Sequence, residues 1–175
     1  RVSAFNSAML DILDKKKILN TLSQLSKIDF IVNCAAFTDV DACETQTKKA
    51  LAINGKGVLH LARYCKDNII PLIHLSSDYV FNGKSAIPYT EESSTSPINQ
   101  YGKSKLKGEL NIQKTLTNYY ILRTQWVFGK YGKNFVDTIT TKTETDTNLE
   151  IVGDQIGSPT STLDIAQAII SIIQT

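Results

Sequence analysis

A tyrosine, a lysine and a serine in this chain have the types and the spacing for proton transfer to a carbonyl oxygen. In Tyr101-Gly102-Lys103-Ser104-Lys105 a helix would set a phenol and an ammonium one turn apart on one face. Upstream, Ser77 stands in the run His74-Leu75-Ser76-Ser77-Asp78-Tyr79-Val80-Phe81, where a strand end would carry its hydroxyl to the same cleft. A free phenol titrates near pH ~10 and is a poor acid-base catalyst at neutrality, whereas a nearby cation favours the phenolate and lowers that value. In such a cleft Tyr101 is the acid, Lys105 its tuner and Ser77 the donor that orients the carbonyl. A surface helix with amphipathic side chains is the other account of the tyrosine and lysine taken alone.

The elements that would position these groups alternate along the chain, as βα units and a parallel sheet require. Residues 29–34, 69–75 and 119–123 read as buried strands. Helices are predicted around Ile18, Leu19, Leu22 and Leu25, around Ala50, Ile53, Leu61 and Cys65, after Asn99, and around Ile165, Ala168, Ile169 and Ile172. Asp41-x-x-Glu44 has the form of a capping box, which makes these carboxylates a helix start rather than catalytic acids. Residues 82–99 hold Pro88, Pro97 and many Ser and Thr, so they read as a long loop ahead of the Tyr101 helix. The threonine-rich segment 138–148 has few apolar positions and weak helix propensity, and reads as a poorly ordered surface segment.

With 175 residues, 42% of them hydrophobic and 21% charged, the chain can bury one sizeable core, and one domain is expected. A net charge of +2 is too balanced to point to nucleic acid or a membrane surface. Lys15-Lys16-Lys17 is accounted for by a solvated helix face. Cys34, Cys43 and Cys65 are odd in number and scattered, which favours free thiols in a reducing cytoplasm over disulfides. No apolar stretch approaches the ~20 residues that span a bilayer. His60 and His74 lack metal-ligand spacing, and no metal is expected.

With Ser77, Tyr101 and Lys105 in place, the chain resembles the extended short-chain dehydrogenase/reductase superfamily and, within it, the dTDP-4-dehydrorhamnose reductases. The resemblance is carried by several motifs in register: Asn33-Cys34-Ala35-Ala36-Phe37-Thr38, Ser76 to Gly83, Pro97 to Lys105, Leu122 to Gly129, and Asp154-Gln155-Ile156-Gly157-Ser158-Pro159-Thr160. It implies an α/β fold with a doubly wound parallel sheet of the Rossmann type. Residues 1–175 would form the NAD(P)-binding core, with partial substrate-binding elements near 82–98 and 126–160. It implies NADPH or NADH as cofactor and a nucleotide-linked 4-keto-6-deoxyhexose as substrate, the hydride going to C4 and the proton coming from Tyr101. Lys105 would also bond the nicotinamide ribose, and Ser77, where the family often has threonine, would hold the ketone oxygen. The resemblance assigns Asn6, Asp11, Ile12, Ala35, Ala36, Phe37, Thr38 and Leu75 to the cofactor with Tyr101 and Lys105. It assigns Asp78, Tyr79, Trp126 and Gln155 to the substrate with Ser77. Asn6 falls where an acidic residue would accept from the adenosine ribose, and its neutral amide leaves NADH and NADPH both open. For Ala35-Ala36, helix–strand packing is the competing account; for Trp126, a place in the core; for the Gln155 loop, a tight turn.

The chain departs from the family at its start, because it has no Gly-x-x-Gly-x-x-Gly turn to aim a helix N-terminus at a pyrophosphate. Residues 1–6 correspond to the family's second strand, so the first βα unit is expected to be missing, and the substrate lobe to be cut short after Ile172. Two alternatives stand beside the reductase. One is a noncatalytic regulatory subunit resembling the β subunit of methionine adenosyltransferase; the other is a sugar-nucleotide epimerase or dehydratase on the same scaffold. A homodimer is compatible with each.

Overall fold

The computed structural model describes residues 1–132, 134–145, 148–151 and 153–175. They fall into two compact units, residues 1–123 and 124–175.

The first unit is built on a sheet of three strands in the order β1 (Ile31–Asn33), β2 (Leu72–Ser77), β3 (Tyr119–Thr124). β1 and β2 are parallel, with Ile31 opposite Leu72 and Asn33 opposite His74. Five helices accompany them in this unit: α1 (Lys15–Leu22), α2 (Val40–Thr45), α3 (Thr47–Ala50), α4 (Val58–Asn68) and α5 (Gln100–Thr115). Between α3 and α4 the chain widens into a π-helical stretch, Leu51–Gly57. The fold is α/β with parallel strands, as expected.

Side-chain alternation in the strands sorts the sheet into an apolar base and a polar top. Leu72 packs with Val58, Ala62 and Cys65 of α4 and Ile112 of α5, and Ile31, Tyr119 and Ile121 close over that cluster. Two and four residues after Leu72, on the same face of β2, stand His74 and Ser76, both buried. α5 follows the same gradient. Its buried face runs from Tyr101, Gly102, Ser104 and Lys105 through Gly108 and Glu109 to Ile112. A second cluster joins Ile12, Ile18 and Leu22 to Leu61.

Several sequence expectations are corrected. Residues 1–6 form no strand; Arg1 to Ala4 are exposed coil. β2 begins at Leu72 rather than at Ile69, which instead caps α4 in the left-handed conformation with φ 56° and is exposed. The cap of α2 is Asp39, two residues before the expected Asp41; its carboxylate accepts from Ala42 N–H at 2.9 Å. Glu44, the other half of the expected box, accepts from Gln100 N–H at 2.8 Å and so helps cap α5.

The second unit holds a parallel pair, β4 (Val127–Phe128) with β5 (Thr160–Ser161), and two helices, α6 (Phe135–Thr145) and α7 (Thr162–Gln174). α6 overturns the expectation of disorder for the threonine-rich segment as far as Thr145; Asp146 and Thr147 lie outside the described residues. Its threonines return their hydroxyls to the backbone one turn back, Thr138 to Asn134 O at 2.7 Å and Thr140 to Val136 O at 2.9 Å, so these polar groups need no outside partner. Among the described residues no helix is long and apolar enough to cross a membrane.

Candidate active site

β2 ends at Ser77, and α5 starts at Gln100 behind an Asn99 cap whose side chain accepts from Gly102 N–H at 2.8 Å. Between them the 3-10 turn Asp78–Val80 passes so close to α5 that a Cβ on Gly102 would stand 2.1 Å from the Tyr79 carbonyl oxygen. Only glycine permits this approach, and it brings Tyr101 onto the end of β2.

Tyr101 is buried among Cys43, Ala50, Phe37, Val40 and Tyr79. Its ring meets that of Tyr79 edge-on, with centroids 5.5 Å apart. Burial pushes its phenol up to about 12, a hydrogen bond between the Tyr101 and Ser77 hydroxyls opposes that rise, and Asp78, Cys43 and Tyr79 add to it. Ser77 Oγ donates to Asp78 Oδ1 at 3.0 Å and accepts from Tyr79 N–H at 3.2 Å, so the serine is fixed from two sides.

One turn along α5, Lys105 is 2% exposed and donates from Nζ to the Leu75 carbonyl at 2.6 Å. Burial lowers it to about 8 against the pull of Glu109 and Cys34. The expected tuning of Tyr101 by Lys105 is therefore corrected for this state. The ammonium donates to the Leu75 carbonyl, and burial keeps the Tyr101 phenol protonated through neutral pH. A phenol held this way is a proton donor in waiting, able to protonate an alkoxide, which is a far stronger base.

Further expected residues are distributed unevenly. Phe37 packs with Tyr101, and Asp78 and Tyr79 flank Ser77. Ala35 and Thr38 are exposed after β1, with Ala36 half-buried. Asn6 and Asp11 are exposed, and their carbonyl or carboxyl oxygens accept from Met9 and Leu13 N–H. The Ile12 side chain belongs to the core, and its carbonyl is bonded to His60 Nδ1 at 3.0 Å. In the second unit, Trp126 adopts a positive φ of 42° and its ring lies 6.2 Å from that of Phe135. Gln155 is exposed.

Other residues escaped sequence reasoning. Asn54, in the π-helical stretch, clamps the peptide of Phe37 from both ends: Oδ1 accepts from Phe37 N–H at 2.8 Å and Nδ2 donates to Phe37 O at 3.0 Å. Its Nδ2 also donates to Ser104 Oγ at 2.8 Å, and Ser104 in turn donates to Tyr101 O at 2.7 Å. Below lie Asn33, whose Nδ2 donates to His74 Nδ1 at 3.0 Å, and the Ser76–Glu109–Arg123 cluster. Gln125, rather than Gln155, holds the 156–158 loop, accepting from Ser158 N–H at 2.7 Å. The signal for Glu109 was its place four residues after Lys105; none marked Asn54.

The buried phenol and ammonium at a strand end, with Phe37 packed on the phenol, fit the nicotinamide-ribose part of a dinucleotide by the chemistry of their donors. No group of His, Cys, Asp and Glu able to hold a metal occurs among the described residues.

A family model described as the RmlD substrate binding domain matches residues 1–175. The chain is 42% identical over 171 residues to the spore coat polysaccharide biosynthesis protein SpsK of Bacillus subtilis, covering 98% of this chain and 60% of that protein. It is 45% identical over 144 residues to the dTDP-4-dehydrorhamnose reductase of Sinorhizobium fredii, covering 82% and 49%. Among solved structures, the dTDP-4-dehydrorhamnose reductase of Bacillus anthracis in complex with NADP superposes with a TM-score of 0.95 at 34% identity, covering 100% of this chain and 62% of that one. That of Clostridium acetobutylicum gives 0.95 at 36% identity, covering 99% and 61%. The chain thus spans about half to three-fifths of the relatives it matches. With its whole length inside one family model and its fold superposing on these reductases, the chain belongs to the RmlD substrate-binding-domain family.

Proposed function

We propose that this chain carries the catalytic residues of an NAD(P)H-dependent reductase, acting in the cytoplasm, that converts the C4 ketone of dTDP-4-dehydro-L-rhamnose to the alcohol of dTDP-L-rhamnose. The observation that carries this reading is the buried Tyr101 phenol, hydrogen-bonded to Ser77 at the end of β2 with Lys105 one turn further along the helix. A bound nicotinamide cofactor would supply the hydride, with Tyr101, Lys105, Leu75 and the 35–38 segment as its holders on the nicotinamide side and Asn6, Asp11 and the Ile12 backbone toward the adenosine. Ser77 positions the ketone oxygen by hydrogen bonding. Tyr101 gives its proton to that oxygen as negative charge develops on it, and Lys105 stabilises the phenolate left behind, a step that requires its ammonium to turn from Leu75 toward Tyr101. Asp78 and Tyr79 are proposed as substrate contacts beside Ser77. Trp126 and Gln155 are proposed as sugar-nucleotide contacts on the family resemblance.

Similarity to a Streptomyces niveus protein, a dTDP-4-keto-6-deoxy-D-glucose reductase 39% identical over 166 residues, favours a second reading in which the 4-keto sugar is the D-gluco compound. The test is nicotinamide consumption by the full-length protein carrying this sequence, offered each keto sugar with NADPH and with NADH. Tyr101→Phe should lower turnover by about 10²–10⁴-fold while leaving the fold intact. Unchanged turnover in that variant would remove the mechanism.

A further inference from the structure

Glu109 is fully buried, yet it is a carboxylate. Three donors converge on it: Ser76 Oγ at 2.5 Å, Arg123 Nε at 3.0 Å and Arg123 Nη2 at 2.7 Å. They come from β2 and β3, so one side chain of α5 grips both strands. Apolar packing already joins α5 to the sheet through Ile112, Leu116 and Leu72. A buried ion pair adds little to such packing, because desolvation offsets most of its attraction. Its location is the informative feature: Glu109 stands one turn from Lys105 on the same buried face.

We propose that Glu109 is a positioning residue for the Tyr101–Lys105 pair, a buried carboxylate that locks α5 to β2 and β3 through Ser76 and Arg123 and so sets Lys105 against the Leu75 carbonyl. Its consequence for turnover rests on the reductase reading; the geometry does not. The charged and titratable groups acting on Lys105 are Glu109 from its own helix and Cys34 from the end of β1, and the neighbouring His74 of β2 feels the lysine's charge in return. Glu109 is the carboxylate among them, and it favours the ammonium against a burial that disfavours it. Arg123 extends the lock outward. Its guanidinium lies 5.0 Å from the centre of the Phe81 ring, which stacks on Tyr89 at 4.2 Å, so the 82–98 loop is tied to the same carboxylate.

The experiment is a pH titration of the Lys105 Cε resonance in the full-length protein, the signal identified by its loss in Lys105→Arg. Glu109→Gln should move the midpoint down by about one pH unit, since the favourable charge is gone and Arg123 remains. Arg123→Met should move it up, because Glu109 is released to act on Lys105 alone. Mere loosening of the structure would send both variants up toward the free-lysine value of ~10.5. A midpoint that rises or stays put in Glu109→Gln therefore overturns the proposal. Should that variant fail to fold, the double variant Glu109→Gln/Arg123→Met removes the pair together, and its midpoint should still lie below that of the unmodified protein; an unchanged midpoint is the refuting result. Glu109→Asp should restore part of the shift. In turnover, Glu109→Gln should lose about tenfold or more in kcat with KM within about threefold. Shifted midpoints in a protein that reduces no keto sugar would defeat the reductase reading and leave the positioning role standing. Active protein with unmoved midpoints would do the reverse.

Discussion

Replacing Gly102 by alanine tests whether the contact between α5 and the 3-10 turn holds Tyr101 in register with Ser77. The added Cβ would stand 2.1 Å from the Tyr79 carbonyl oxygen, 2.9 Å from its carbonyl carbon and 3.0 Å from Pro97 Cβ. Two of these atoms are backbone and the third sits in a proline ring, so no side chain can swing aside. Relief requires α5 and the turn to part by about 1 Å. In an unobstructed helix the same change would stabilise by ~1 kcal/mol; overpacking of a closed site costs ~1–3 kcal/mol and occasionally more. The steric term wins because backbone is the obstacle, and we expect a net loss of about 2 kcal/mol, or roughly 4–8 °C in Tm. A 1 Å misplacement of reacting groups also costs on the order of 10²-fold in rate. Gly55→Ala is the comparison, since its Cβ would meet no backbone atom within 4 Å outside its own helix, only Lys107 Cγ at 3.0 Å and Cβ at 3.5 Å. Thermal unfolding and keto-sugar turnover, measured on both variants in the full-length protein, decide the matter. If Gly102→Ala behaves as Gly55→Ala does, the close approach is not a constraint. If stability falls and turnover does not, the turn yields while Tyr101 stays in place, which refutes the register argument.

Two further expectations concern the polar groups beneath the site. Asn54→Ala strands the Phe37 N–H, leaves the Phe37 carbonyl only the Cys43 thiol at 3.9 Å and removes a donor from Ser104 Oγ, and should cost about 2–4 kcal/mol in denaturant unfolding; a loss under about 1 kcal/mol would mean the clamp is dispensable. His74 is fully buried, its Nε2 has no hydrogen-bond partner among the described residues, and burial lowers it to about 3. The folded chain thus resists a proton that the unfolded chain takes up near pH ~6.5, so stability is full above that value and falls as pH drops toward 3, by at most ~1.4 kcal/mol per pH unit. His74→Gln, which keeps an acceptor for Asn33, should flatten that slope in unfolding measured from pH 7 to pH 4, leaving the smaller dependence due to His60, which burial also lowers. An unchanged slope would assign the acid sensitivity elsewhere.

What the sequence made legible is what local spacing controls. Tyr101 and Lys105 share a face because both lie on α5, and Ser77 meets Tyr101 because β2 ends there. Three strands and most helices were readable from apolar periodicity. Some misses depend on a partner distant along the chain, some on a backbone state without a sequence mark, and some on which of several local polar groups is used. Asp39 rather than Asp41 caps α2, and Glu44 instead accepts from Gln100, 56 residues away. A π-helical stretch has the same composition as an α-helix, so nothing local sets Asn54 apart from an ordinary helical residue, although its amide is bonded to Phe37. The threonine helix α6 reads as disorder on propensity, which is a weak prior; its hydroxyls bond back to the preceding turn and so are satisfied within the helix.

Glu109 and Arg123 show the same division within the site. Glu109 stands among the lysines of its helix and Arg123 in a strand read as buried, and nothing local in the sequence pairs the two. Each is unfavourable to bury alone; only the sheet, by setting β3 beside β2 and α5 above both, makes burial of the pair tolerable. The polar end of the core is thereby closed by ions and hydrogen bonds, not by apolar contact, and it lies directly under Ser77 and Lys105. Apolar side chains can slide by a fraction of an ångström at small cost, whereas a bidentate guanidinium–carboxylate pair with a third bond to Ser76 admits one geometry. On the proposed reductase reading, a site that must hold a phenol and a hydroxyl on one ketone oxygen, with an ammonium in reach of the phenol, gains from resting on the second kind of contact.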